Sequence, residues 1–194
     1  MPFAYRALRR AGLVVAVSAA ALVACGPDPF APQPDGPNLD TNFQIWAITG
    51  SPVPYPTAFA VPQRATVRLE PSGTFDIAFD ITPSGDLQVL PVGRVISSLT
   101  GSRPIGIIVS STPYSQIESA PRTGWAVDSI VNLQEGSVFV LQVTTQFCAG
   151  QTRQTIYGKF RVDSILPAER RARLSGRVNP NCGFRSFADG TPEF

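Results

Sequence analysis

The sequence predicts an all-β domain, an antiparallel β-sandwich or meander-built two-sheet fold, behind a signal peptide and a proline-rich tether. Three observations predict it. From Phe43 onward, apolar residues alternate with polar ones or run in short blocks, and no stretch sustains the 3.6-residue period of an amphipathic helix. The blocks end at clusters of Pro, Gly and Ser, which punctuate strands. The composition, 194 residues with 43% hydrophobic residues and 19 prolines, suits one soluble-type domain plus extras and not a fibrous or coiled-coil chain.

The strands expected from this pattern are Phe43–Thr49, Arg64–Glu70, Thr74–Thr82, Asp86–Ile96, Ile105–Ser110, Trp125–Leu133, Val138–Phe147, Thr155–Ile165 and Ala172–Val178. Pro167–Arg171 alone is helix-friendly, and it is too short for more than a turn. Pro-Ser-Gly occurs at 71–73 and 83–85. Each copy reads as a three-residue hairpin loop with glycine in the left-handed position. The first loop would set Leu69, Val67 and Ala65 against Phe75, Ile77 and Phe79, with Arg68 facing Asp76 and Arg64 facing Asp80. The second would set Ile81 against Leu87 and Phe79 against Val89. Apolar then meets apolar and opposite charges meet, whereas a one-residue slip would invert every side chain. Asp76 and Asp80 would lie about 13 Å apart along one strand face, too wide for a glycosidase pair, and read as surface ion pairs. The last three strands read as a second meander, with Val162 opposite Leu174 and Asp163 opposite Arg173. Val127-Asp-Ser-Ile130 recurs as Val162-Asp-Ser-Ile165, a convergence of strand sequences.

Ahead of the domain, Met1–Arg10 carries Arg6, Arg9 and Arg10, and the 14 residues Ala11–Ala24 carry no charge. That is the layout of an export signal, and it is short for a membrane span. It ends in Leu22-Val23-Ala24-Cys25, which resembles the lipobox of bacterial lipoproteins. The resemblance implies cleavage after residue 24, lipidation of Cys25 and attachment to the bilayer through its acyl chains. Gly26 in the next position implies sorting to the outer membrane of a Gram-negative-type cell envelope. Residues 25–42 follow as the lipidated cysteine and a tether with five prolines, and 43–194 as a single β-rich domain.

Removal of residues 1–24 changes the charge argument. The formal +2 of the whole chain includes three signal arginines, and the remaining 13 basic and 14 acidic side chains leave −1. No concentrated basic surface remains for nucleic acid. With Cys25 lipidated, Cys148 and Cys182 remain for a disulfide in an oxidising compartment. Their strands lie two apart, about 9.6 Å, so the loops beyond the strand ends must close the gap.

The residues for nucleophilic catalysis are missing. Histidine is absent, Lys159 is the single lysine, and neither Gly-x-Ser-x-Gly nor Ser-x-x-Lys occurs. No metal-ligand spacing or phosphate loop appears either. Acid pairs such as Glu118 with Asp128 carry no mark of a site. Loop aromatics Tyr55 (Pro52-Val-Pro-Tyr-Pro56) and Tyr114 (Thr112-Pro-Tyr-Ser115), with Arg185 in the Asn179–Arg185 corner, are the candidate binding residues. The same aromatics also suit proline packing that stiffens a loop. Trp46 and Trp125 read as core, and Arg170, Arg171 and Arg173 as a solvated basic turn.

The order of Phe75-Asp-Ile-Ala-Phe79, Trp125, Val138–Thr145 and Tyr157-Gly-Lys-Phe-Arg-Val162 resembles that of HmuY-type bacterial outer-membrane lipoproteins. The resemblance implies a β-rich fold and, in that family, haem binding. The haem ligands do not carry over, since Met1 is the single methionine and there is no histidine. No cofactor is expected. The sequence therefore points to a lipid-anchored, non-catalytic envelope protein that binds a small ligand or an envelope protein. The alternatives are a structural lipoprotein of an envelope complex and a hydrolase using two carboxylates.

Overall fold

The computed structural model describes residues 33–70, 74–101, 103–148 and 154–190. The signal peptide, the lipobox at Cys25 and the Pro-Ser-Gly loop at 71–73 lie outside the described residues.

Alternating sequence becomes two antiparallel sheets. The strands are β1 (Leu39–Trp46), β2 (Ala58–Ala60), β3 (Ala65–Val67), β4 (Ile77–Ile81), β5 (Leu87–Pro91), β6 (Ile105–Ser110), β7 (Ala126–Val127), β8 (Val131–Leu133), β9 (Val138–Thr144), β10 (Thr155–Leu166) and β11 (Arg171–Asn179). The larger sheet runs β1-β11-β10-β9-β6-β7 and the smaller β3-β2-β4-β5-β8. Together they make the expected two-sheet sandwich. The fold takes in more of the N-terminal side than the 25–42 tether expectation allows, because Leu39–Asn42 already pair with β11. Asp35 and Gly36 are also fixed, both N–H groups donating to Asn181 Oδ1.

The β4/β5 hairpin has the expected register, Ile81 against Leu87 and Phe79 against Val89. The β3/β4 hairpin does not form. β2 stands between them, pairing Phe59 with Thr66 on one side and with Ile77 on the other. The local reason is the Val61-Pro62-Gln63-Arg64 turn, closed by the Arg64 N–H to Val61 carbonyl bond, with Arg64 at φ 53°. Proline after the first turn residue favours that turn. It folds β3 back onto the three-residue β2, too short for alternation to reveal.

Two expected long strands are broken. Asp86–Ile96 ends as a strand at Pro91 and continues as the short helix α1 (Val92–Val95). Pro91 is the last strand residue and the cap before the helix, its backbone still extended at φ −55° and ψ 149°. Trp125–Leu133 breaks at Asp128, where φ is 48°. There the chain crosses from the larger sheet (β7) to the smaller (β8). Asp128 Oδ1 accepts from the Ile105 N–H, and its carbonyl accepts from Arg94 Nε. In the C-terminal meander Val162 faces Leu174 as expected, but Asp163 sits in a bulge and Arg173 faces Ser164 instead. Asp163 then pairs with Arg161 and Ser175. Both Val-Asp-Ser-Ile stretches thus place their aspartate at an irregularity.

The main core lies between the sheets and includes Phe59, Phe79, Phe139 and Phe160, all fully buried. Phe160 lies over Gly158 and Gly176, where an added Cβ would come within 2.7 and 2.3 Å of its ring. A second cluster covers the outer face of the larger sheet. Val138, Val140 and Tyr157 point away from the main core, and Ile117, Ala120 and Phe187 pack onto them. Trp46 and Trp125, expected in the core, are half-buried: Trp46 packs on Tyr55 and Trp125 on Tyr157, their ring centroids 4.8 and 6.1 Å apart.

The pairings give the sandwich two distinct ends. At one, β1 begins, β11 and β9 finish, and β6 and β10 start. Residues 33–38 enter here, so we call it the entry end. At the far end lie Trp46, Leu166 and Arg171.

Candidate functional site

Asp76 and Asp80 stand four residues apart and fall at opposite ends of the sandwich. Neither pairs with the arginine expected from the hairpin. Asp76, at the entry end, is 1% exposed. Its Oδ1 accepts from Arg103 Nη2 at 2.5 Å and its Oδ2 from the Val61 N–H at 2.7 Å. Arg103 also donates to the Phe75 carbonyl. These bonds tie β2, β4 and the approach to β6 together. Burial holds the Asp76 carboxyl above its ordinary range, against the pull of the Val61 N–H and the Arg103 guanidinium.

This ion pair lines a cleft of about 480 Å³, with Gln63, Thr74, Thr145 and Gln146 as further polar residues and Phe147 as the aromatic one. The volume lies in the range of small-ligand sites. Phe147 is 66% exposed, an apolar ring held in solvent beside a polar recess. Its backbone is fixed by a bond from its N–H to Thr145 Oγ1 and by the next residue, Cys148. Cys148 is bridged to Cys182 across 5.7 Å between Cα atoms, so the loops do close the gap between strands two apart. The bridge is buried at Cys148 and ties the cleft's edge to the corner after β11. That corner is dense in hydrogen bonds: Asn179 holds the Phe184 and Ser186 carbonyls, and Asn181 the Gly36 carbonyl.

Asp80, at the far end, does a different job. Its carboxylate accepts from the Thr49 N–H and hydroxyl, from the Ile81 N–H and from Arg170 Nη2. The sequence places Arg170 in a solvated turn. Arg170 instead reaches from the β10–β11 turn to the Thr49 and Ile81 carbonyls, stapling one sheet to the other.

The sequence-expected binding residues do not form one site. Tyr55 lies at the far end against Trp46 and is 43% exposed. Tyr114 lies on the covering segment of the larger sheet. Its ring sits 4.5 Å from Lys159 Nζ, which donates to the Tyr114 and Ile117 carbonyls. Lys159 is 5% exposed, and burial lowers its affinity for a proton while raising that of Tyr114's hydroxyl. Arg185 donates to the Ala120 carbonyl, holding the C-terminal segment to the same cover. Tyr114 and Arg185 therefore fasten the outer layer. Sequence reasoning missed Arg103, in a loop without periodicity, and Phe147, which it places at the end of the strand Val138–Phe147; the strand stops at Thr144, and Phe147 falls in a short 3-10 turn. A signal for Phe147 was its place next to a bridged cysteine.

Among the described residues, no three His, Cys, Asp or Glu side chains converge on a metal position. No protein-family model, curated protein or solved structure matches this chain.

Proposed function

We propose that the chain is a lipid-anchored, non-catalytic protein of the cell envelope, with Cys25 as the acylated residue and the outer membrane as its location. The Asp76–Arg103 cleft is its ligand site. The observation that carries the reading is the combination of a buried carboxylate paired with a partly exposed guanidinium in a 480 Å³ recess with the exposed ring of Phe147. Groups held in place before a ligand arrives cost less to order on binding. Position supports the same reading. The cleft and the point where residues 33–38 enter lie at one end, and eight residues separate Cys25 from Pro34, nine steps that span at most about 32 Å.

A second reading has its own observation. The far end presents Val53 at 89% and Tyr55 at 43% exposure in a proline-rich loop, which suits docking to an envelope protein.

The test starts from the acylated protein in its native envelope. Cys25→Ala should abolish lipid labelling, and continued labelling would refute the anchor. Wild-type protein recovered by cross-linking should carry an envelope component that Phe147→Ser fails to retain. Equal recovery by both would overturn the cleft as the binding site.

A further inference from the structure

Resting on that cleft assignment, we infer that its ligand is an uncharged, polyhydroxylated ring, a neutral saccharide. Charge balance is the first argument. The cleft's two charged side chains neutralise each other across 2.5 Å. An anion drawn to Arg103 meets the Asp76 carboxylate beside it, and a cation drawn to Asp76 meets the guanidinium, so neither sign gains much.

Hydrogen-bond chemistry is the second. The remaining polar residues, Gln63, Gln146, Thr74 and Thr145, are carboxamides and hydroxyls. Each offers a donor and an acceptor together. A sugar hydroxyl needs that combination, since it donates one bond and accepts others. A wholly apolar ligand would strip water from these groups and return no hydrogen bonds, a cost of about 1–3 kcal/mol per group on the scale of protein mutations.

The third argument is Phe147. A pyranose ring carries its hydroxyls around the edge and leaves C–H groups on its faces, so it can stack on an aromatic ring while its edge bonds to polar side chains. Phe147 supplies that ring at 66% exposure, beside Gln146 and Thr145. A polar recess with one exposed aromatic is the arrangement such a ligand requires.

The sugar could be free in the envelope or borne on a lipid, so the experiment uses two probes. The mature chain, residues 25–194 produced without the signal segment and with Cys25→Ser so that it carries no lipid, is titrated with a panel of neutral oligosaccharides (maltohexaose, cellohexaose and chitohexaose) and with vesicles carrying a glucosylated lipid. At least one probe should bind, with an affinity that high salt leaves unchanged. Phe147→Ala should weaken it about tenfold or more, equivalent to about 1.4 kcal/mol, and Phe147→Trp should restore it. Binding by the oligosaccharides alone assigns a free glycan, and binding by the vesicles alone a lipid-borne one. If no probe binds while envelope recovery still depends on Phe147, the saccharide class is refuted and the cleft assignment survives. If recovery is also independent of Phe147, both fall. Probe binding unaffected by Phe147→Ala overturns the placement of the sugar in this cleft.

Discussion

The two ends of the sandwich use the same pair of residue types for opposite purposes. Asp76–Arg103 and Asp80–Arg170 have partners of identical chemistry, with N–O distances of 2.5 and 2.8 Å. Their arginine side chains are similarly exposed, 24% and 26%, but the carboxylates differ, 2% against 22%. At the far end Asp80 is saturated by local backbone and hydroxyl donors, and Arg170 spans the sheets. At the entry end Asp76 is sunk beneath a cleft, with an exposed aromatic ring beside it. An ion pair's role follows from what surrounds it, not from which residues form it.

The largest expected effect tests how far burial sets the entry-end pair apart. Arg103→Met leaves a buried carboxylate without its cation and should cost about 3–5 kcal/mol in urea unfolding at neutral pH. The pH dependence has a definite sign. Asp76's carboxyl is held above 3.8, so the folded state keeps a proton that the unfolded chain has already released. Its contribution to stability is complete below that value and is lost as pH rises through the folded one. Removing the guanidinium widens this window, so the Arg103→Met deficit should be smaller in acid than at neutral pH. A deficit that grew in acid would contradict the account.

Next in size is the bridge beside the cleft. Cys148→Ser with Cys182→Ser opens a loop of sequence separation 34 and should cost at most about 4 kcal/mol on the chain-entropy model. Non-reducing mass spectrometry of the wild type should show the two cysteines linked, and two free thiols would refute the bridge. At the far end, Arg170→Ala should cost about 2 kcal/mol, through lost charge-assisted bonds to Thr49, Ile81 and Asp80. It should leave envelope recovery unchanged under conditions where the variant is folded. The smallest effect is Phe147→Ser, whose unfolding free energy should stay within about 0.5 kcal/mol of wild type because the side chain is in solvent.

What the sequence made legible were features whose signal is local. The β4/β5 register follows from a Pro-Ser-Gly loop flanked by alternating residues, and β9-β10-β11 from long apolar alternation. Cys148 and Cys182 are the pair that remains with Cys25 proposed as the lipid site. The Asp–Arg pairs were misassigned because adjacency favoured Arg68 and Arg64, whereas the true partners come from 27 and 90 residues away. A single short strand, Ala58–Ala60, separates the two answers. It displaces β3 by one place in the sheet and frees Asp76 for Arg103. Asp128 and Asp163 show the same limit, since a Val-Asp-Ser-Ile stretch reads as strand whether or not it turns a corner or bulges. Tyr114, Lys159 and Arg185 were visible as residues, but their joint role depends on a covering segment without regular periodicity.

The most direct test compares one exposed side chain from each end. Phe147→Ser and Tyr55→Ser each remove an exposed ring, 66% and 43% accessible, neither residue carries a charge of an ion pair, and both proteins should fold. Cross-linked recovery from the native envelope should lose its bound component with Phe147→Ser and keep it with Tyr55→Ser. The reverse, loss with Tyr55→Ser and retention with Phe147→Ser, would place the interaction at the far end and contradict the assignment of the Asp76–Arg103 cleft.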